Sequence, residues 1–305
     1  MRIGAVIGKR GGWGDVVGDI AADYQRAVEA SVDSVWLTQH LGFDALTLMA
    51  SWGTTGPELG TAVIPAPTRH PVPLAEQALT TQALCGGRLS LGLGLAHAAN
   101  LTSVYGLPPR RSVSYLADYL STLDALMAGE ETIPNNCFPM TARLGGELPT
   151  PPPVLLAALG PRMLELAGSR TAGTITWMTG PRTVAGHVVP AIQSAAEAAG
   201  RSAPRVVVCL PVCVTRDVDA ARESYRSTNA SYGTIPSYRD MLEREGASDP
   251  GEIAIIGSEA LVQDSFAELV SAGATDIVAV PTGSPDELDA TWALLRAIRS
   301  QRAST

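Results

Sequence analysis

Residues 58–97, ELGTAVIPAPTRHPVPLAEQALTTQALCGGRLSLGLGLAH, constrain the fold more than any other stretch of the chain. Positions 59–64 form a short β-branched run, 71–84 carry apolar residues at helical spacing, and 89–93 are apolar again, which reads as strand, helix, strand. Gly86-Gly87-Arg88 closes the helix, because glycine readily adopts the left-handed conformation that ends one. Gly92 and Gly94 then permit close backbone approach at the carboxyl end of the second strand, and His97 stands just beyond. In parallel α/β folds this end of the strands is where chemistry sits.

The alternation continues along the chain. Strand-like runs at about 2–8, 34–38, 59–64, 89–93, 154–158, 173–177, 206–214 and 276–281 are separated by amphipathic helices such as AADYQRAVEA, YLADYLSTLDALMAG and QDSFAELVSAG. Eight such units in 305 residues predict an α/β fold of the (β/α)8 TIM-barrel type, as a single domain over 1–305. Two connections exceed what a compact barrel needs. Residues 129–153, after the fourth helix, lack periodicity and are expected at the surface or over the mouth. Residues 215–257, after the seventh strand, read as helix, turn and helix leaving a strand's carboxyl end, which is the place for a substrate lid.

Composition removes several function classes. No run of eighteen apolar residues occurs, so a membrane-spanning protein is not expected. The opening MRIGAVIGKRGG has too short an apolar stretch for a signal peptide, and the expectation is a cytoplasmic protein. A net charge of −8 with scattered Lys and Arg argues against nucleic-acid binding. Cys85, Cys137, Cys209 and Cys213 form no CxxC pair, and the four histidines show no HExxH spacing, so buried free thiols and no metal are expected.

Candidate site residues gather at predicted strand ends. In Ala157-Ala158-Leu159-Gly160-Pro161 a strand passes into a helix through Gly then Pro; this is either an ordinary helix start or an anion site, since free N–H groups at a helix N-terminus attract a phosphate. LGLGL is not a dinucleotide fingerprint, because no GxGxxG opens a helix there. His40 ends the run VWLTQH and His97 follows LGLGLA; either imidazole can exchange a proton near neutral pH or simply bond a ligand. Trp13, Trp177, Tyr105, Tyr232 and Tyr238 fall in or beside post-strand loops, and Trp13 and Trp177 are the expected pocket lining. His187 is expected to be solvated within a helix.

The ordered set LGTAV, RHP, AEQA, GGR and LGLGL, with VWLTQH (35–40), PVLLAALGPRMLELAG (153–168), GTITWMTGPRT (173–183) and PSYRDMLEREG (236–246), resembles the luciferase-like hydride-transfer family. It is most similar to the branch that uses coenzyme F420, a deazaflavin. The resemblance implies hydride transfer between F420 and an organic substrate, a small molecule or peptide, with reduction of a C=C or C=N bond in natural-product biosynthesis as the expected reaction. FMN in the same pocket is the alternative cofactor, a non-catalytic ligand-binding barrel is the alternative of another class, and a homodimer is the family habit. The cofactor phosphate is then assigned to the 157–161 turn, with Thr179 and Arg182 adding contacts and Gly94 beside the ring. A non-prolyl cis peptide is implied at Ala62–Val63, its bulge against one ring face. His97 falls where sugar-phosphate dehydrogenases of the family carry an acidic residue, and His70 in RHP is structural. Two departures stand out: Gln39 replaces a common acidic residue before His40, and Asp44 replaces a common aromatic.

Overall fold

A computed structural model describes residues 1–8, 15–109 and 113–303; Trp13 lies outside these ranges. The strands are β1 (Arg2–Ile7), β2 (Ser34–Leu37), β3 (Glu58–Thr61), β4 (Ile64–Pro65), β5 (Leu89–Gly94), β6 (Val154–Ala157), β7 (Gly173–Trp177), β8 (Arg205–Val214), β9 (Ile255–Gly257) and β10 (Asp276–Pro281). All pairings are parallel, and the order β1-β2-β3-β5-β6-β7-β8-β10 closes because β10 pairs with both β8 and β1. The result is a (β/α)8 barrel, with helices between successive strands.

The helices used below are α1 (Val16–Glu29), α2 (Ala45–Ala50), α3 (Pro71–Leu84), α4 (Ala98–Ser103), α5 (Val113–Met127) and α6 (Pro161–Arg170). After β7 a continuous helical run comprises α7 (Pro181–Thr183), a π-helical turn (Val184–Val188) and α8 (Val189–Ala198). Next come α9 (Val218–Asn229) and α10 (Pro236–Glu245). Local chemistry sets their starts: Asp15 and Asp44 accept from the N–H groups of Gly18 and Thr47, and α3, α6, α7 and α10 each begin with proline.

Inside the barrel, Trp36 is fully buried and its indole N–H donates to Ser34 Oγ at 2.8 Å. Neighbouring strands make room for it, since a Cβ at Gly60 would lie 2.2 Å from Trp36 Cε3. Leu155, Ile175, Val207, Cys209 and Val278 complete this inner layer. Below it, at the strands' amino ends, Arg205 bonds Glu58 at 2.8 Å and Asp276 at 2.7 Å. Charges at that closed end belong to stability, leaving the carboxyl ends for function.

Two expectations change. Strand three does not run unbroken over 59–64 but stops at Thr61 and resumes at Ile64. A ninth pairing segment, β9, adds to the end of β8 beyond the eight barrel strands. The 129–153 connection packs on the barrel's flank: Asn135 Nδ2 donates to the Asp118 carbonyl at 3.1 Å and to Thr122 Oγ1 at 3.0 Å, both on α5. Its Phe138 ring sits 5.5 Å from His70, 5.5 Å from Tyr119 and 5.9 Å from Tyr115.

Candidate active site

At the carboxyl end of strand three the register slips by one. Gly60 pairs with Ser90, but Ile64 pairs with Leu93, so the strand carries one residue more than β5 across this interval, a β-bulge. The Ala62–Val63 peptide within it is cis. Val63 reaches toward β5, for a Cβ at Gly94 would lie 2.8 Å from Val63 Cγ2 and 3.2 Å from Ala157 Cβ on β6. Val63, Gly94 and Ala157 therefore share one small apolar shelf at the mouth. Ala62, Val63, Val6 and Trp177 pack on the inner layer beneath it.

Ala157 is exposed and leads directly into the β6–α6 turn. The turn's inner side is tied down: Ala158 is fully buried, and its carbonyl accepts the Thr174 hydroxyl at 3.1 Å. The Leu159 carbonyl accepts from His187 Nε2 at 2.7 Å, which corrects the expectation that His187 is solvated. Because a carbonyl only accepts, that bond fixes the proton on Nε2. Toward solvent, Gly160 caps α6 without a side-chain bond, and a Cβ there would meet nothing within 4 Å. Pro161 follows it, also exposed, so the outer face of this helix start stands open.

The next βα turn repeats the Gly-Pro-Arg sequence at 180–182 but is filled from within. Glu245, the last residue of α10, accepts from Arg182 N at 3.1 Å, Thr183 N at 2.8 Å and Thr183 Oγ1 at 2.7 Å. A Cβ at Gly180 would lie 2.5 Å from the Glu245 carboxyl carbon. Thr179 is fully buried and donates its hydroxyl to the Trp177 carbonyl at 3.1 Å. Arg182 is exposed, and its guanidinium lies beside Gly246, where a Cβ would come within 2.9 Å of Nη1.

Across the mouth runs a chain of edge-to-face rings: His97 to Tyr238 at 5.4 Å, Tyr238 to Tyr232 at 5.4 Å, and Tyr232 to Trp177 at 5.8 Å. It links the end of β5 to the end of β7 through the 215–257 connection. Burial lowers the His97 pKa from its ordinary 6.5, favouring the neutral imidazole, and raises that of Tyr238. Burial also raises Tyr232, against a lowering from the Trp177 indole. His97 precedes α4 without capping it.

His40 is exposed in the loop that follows β2. The residues beside it build the loop: Gln39 Nε2 donates to the Phe43 carbonyl at 2.7 Å, and its Oε1 accepts from Arg69 at 2.9 Å. Arg69 also pairs with Asp44. Gln39 and Asp44, the two departures from the family pattern, thus share one arginine. His70 caps α3, with Nδ1 accepting from Val72 N at 3.3 Å, a structural use. Among the described residues no three His, Cys, Asp or Glu side chains group as a metal site.

The profile of the family described as luciferase-like monooxygenase matches residues 5–295. A 5,10-methylenetetrahydromethanopterin reductase of Methanolobus tindarius is 28% identical over 285 residues, covering 90% of this chain and 86% of that one. An F420-dependent glucose-6-phosphate dehydrogenase of Kineococcus radiotolerans is 25% identical over 287 residues, covering 88% and 84%. Among solved structures, the coenzyme F420-dependent tetrahydromethanopterin reductase of Methanopyrus kandleri has the same fold, with a TM-score of 0.76 at 20% identity over 97% of both chains.

Proposed function

The chain belongs to the luciferase-like monooxygenase family, and from that premise we propose that it is a coenzyme F420-dependent oxidoreductase that reduces a C=C or C=N bond in a small unsaturated substrate, in natural-product tailoring. The observation that carries the reading is the juxtaposition of a flat apolar shelf with an open helix start. Val63 and Ala157 close together over Gly94, where a Cβ would come within 2.8 Å and 3.2 Å of them, and three residues after the exposed Ala157 stands the exposed Gly160 of the helix start. A planar ring with a phosphate-bearing arm fits these two features.

In this reading the bound deazaflavin supplies hydride chemistry, and the protein supplies position and proton. Val63, with Ala62 behind it, supports one face of the ring system, leaving the other to the substrate. Gly160 and the peptide groups of 157–159 receive the phosphate, Pro161, which has no N–H to donate, opens the helix beside it, and the His187 bond to Leu159 holds that turn in shape. Tyr232, Tyr238 and Trp177, in edge contact with one another, form one aromatic wall, and His97 is the proton partner. His40 has the weaker case of the two histidines, being exposed where His97 is half-buried. The protein is proposed to act in the cytoplasm as a homodimer.

Fluorescence titration of the purified protein with F420 and FMN tests the cofactor. Tighter binding of F420 is expected; equal or inverted affinities remove the deazaflavin assignment. Oxidation of reduced F420 with a panel of enones and imines tests the reaction, and binding without turnover on every member returns the barrel to a ligand-binding role.

A further inference from the structure

Glu245 stands at the wrong end of its own helix. A carboxylate in the last turn of α10 opposes that helix's dipole, yet the same group meets the favourable, amino-terminal end of the helical run that starts at Pro181. There it accepts two backbone N–H groups and one hydroxyl. Gly180 leaves the space it occupies. Seven positions earlier on α10, two helical turns away and so on the same face, Tyr238 packs edge-on against His97. One end of α10 is therefore anchored to the β7 side of the barrel, and the other end covers the imidazole at the β5 side.

We infer that Glu245 is a positioning residue: by seating its carboxylate in the Gly180-Pro181-Arg182 turn, it fixes α10 across the mouth and holds Tyr238 over His97. The burial that keeps His97 neutral is then a property of the latched α10 rather than of β5 alone. The ring facing His97 is Tyr238, which stays uncharged through the neutral range, so partial burial beneath that ring and not a neighbouring charge lowers the histidine. The groups around the Glu245 carboxylate are the Arg182 and Thr183 N–H groups and the Thr183 hydroxyl, with the Arg182 guanidinium beside Gly246. The inference rests on the proposed active site only for its catalytic consequence.

With four histidines in the chain, each C2–H resonance can be titrated by NMR in the cofactor-free protein. Glu245→Ala and Glu245→Gln are compared with the parent, with His97→Gln identifying the resonance and Arg239→Ala as a control that breaks an exposed ion pair on the same helix. In both Glu245 variants the His97 midpoint should rise toward its ordinary value. The Arg239→Ala midpoint should match the parent. An unchanged His97 midpoint in folded Glu245 variants, or an equal shift in Arg239→Ala, overturns the assignment. So does loss of fold in both Glu245 variants, because a residue needed by the whole barrel is not a local latch. If Glu245→Ala alone fails to fold, Glu245→Gln decides by the same midpoint. The measurement needs no cofactor, so failure of the F420 reading in the titrations above leaves this result standing.

Discussion

The hydroxyl of Thr61 holds both backbone groups of Gly92: Oγ1 donates to the Gly92 carbonyl at 2.8 Å and accepts the Gly92 N–H at 2.8 Å. Regular pairing between β3 and β5 ends at Gly60 and Ser90, so a side chain replaces the ladder where the bulge begins. Both residues are buried, and a Cβ at Gly92 would fall 1.9 Å from the Thr61 carbonyl oxygen. Replacing Thr61 with Val keeps the shape but orphans a buried donor and acceptor, at a cost of about 1–3 kcal/mol. Urea denaturation should show that loss for Thr61→Val and a smaller one for Thr61→Ser, which keeps the hydroxyl; equal losses would assign the effect to packing.

Gly160 offers the opposite test. Its φ of −76° suits any residue, and its missing Cβ faces open space, so a bulky side chain there has no steric cost within the protein. Gly160→Val should therefore keep the parent's thermal midpoint while weakening F420 binding at least tenfold, about 1.4 kcal/mol, by covering the peptide groups of the helix start. Unchanged affinity in the folded variant would return the turn to a plain helix start.

His97 gives a pH dependence whose sign follows from its burial. The folded pKa is lowered below 6.5, so the protonated imidazole proposed as the acid in reduction is lost as pH rises through that lowered value. The reverse oxidation, which needs the neutral base, gains over the same interval. Between the folded midpoint and 6.5 the unfolded chain binds more protons, so stability falls as pH drops through this window. Rate profiles in both directions should show mirrored limbs, and His97→Gln should lack both. A surviving limb would transfer the proton role to another group.

Much of the fold was readable because parallel barrel strands are buried on both faces and so appear as plain apolar runs. Pro71, Pro161 and Pro236 mark helix starts for the same local reason. What escaped depends on distant partners. β9 has only three residues, too few for a periodic signal, and exists by pairing with the end of β8. The break after Thr61 leaves no mark in the residue types of LGTAVI, and only the family resemblance implied a bulge there. Gly60 looks generic until Trp36 from the neighbouring strand fills its place. Glu245 lies 62 positions from Thr183, and His187 lies 28 from Leu159. A helix pattern shows neither contact. The only hint for Glu245 was an acidic residue at a helix end that disfavours it, and the repeated Gly-Pro-Arg motif gave no sign that one copy is filled from inside.

Phe138 separates the flank from the mouth. It is 7% exposed and packs with His70, Tyr115 and Tyr119. Truncation to Ala should destabilise the protein by about 3 kcal/mol, as for other buried phenylalanines. F420 affinity of the fraction that remains folded should match the parent. A loss of affinity without loss of stability would instead give the 129–153 connection a part in ligand binding.

The shelf itself can be tested by compensation between Gly94 and Val63. Alanine at 94 puts a methyl 2.8 Å from Val63 Cγ2 and 3.2 Å from Ala157 Cβ, closer than carbon atoms pack, so the Val63 side chain must turn away or the bulge must shift. Either change raises a hump where the ring is proposed to lie, and Gly94→Ala should bind F420 more weakly than the parent. Val63→Ala alone removes apolar contact and should also weaken binding. In the double variant the valine methyl that collides is gone, so the new alanine has room and part of the affinity should return relative to Gly94→Ala. The coupling between the two positions is the diagnostic quantity, since residues in direct contact depart from additivity while separated ones do not. Strictly additive losses in the titrations would mean that Val63 and Gly94 act on the cofactor independently, and the shared shelf at the mouth would have to be given up.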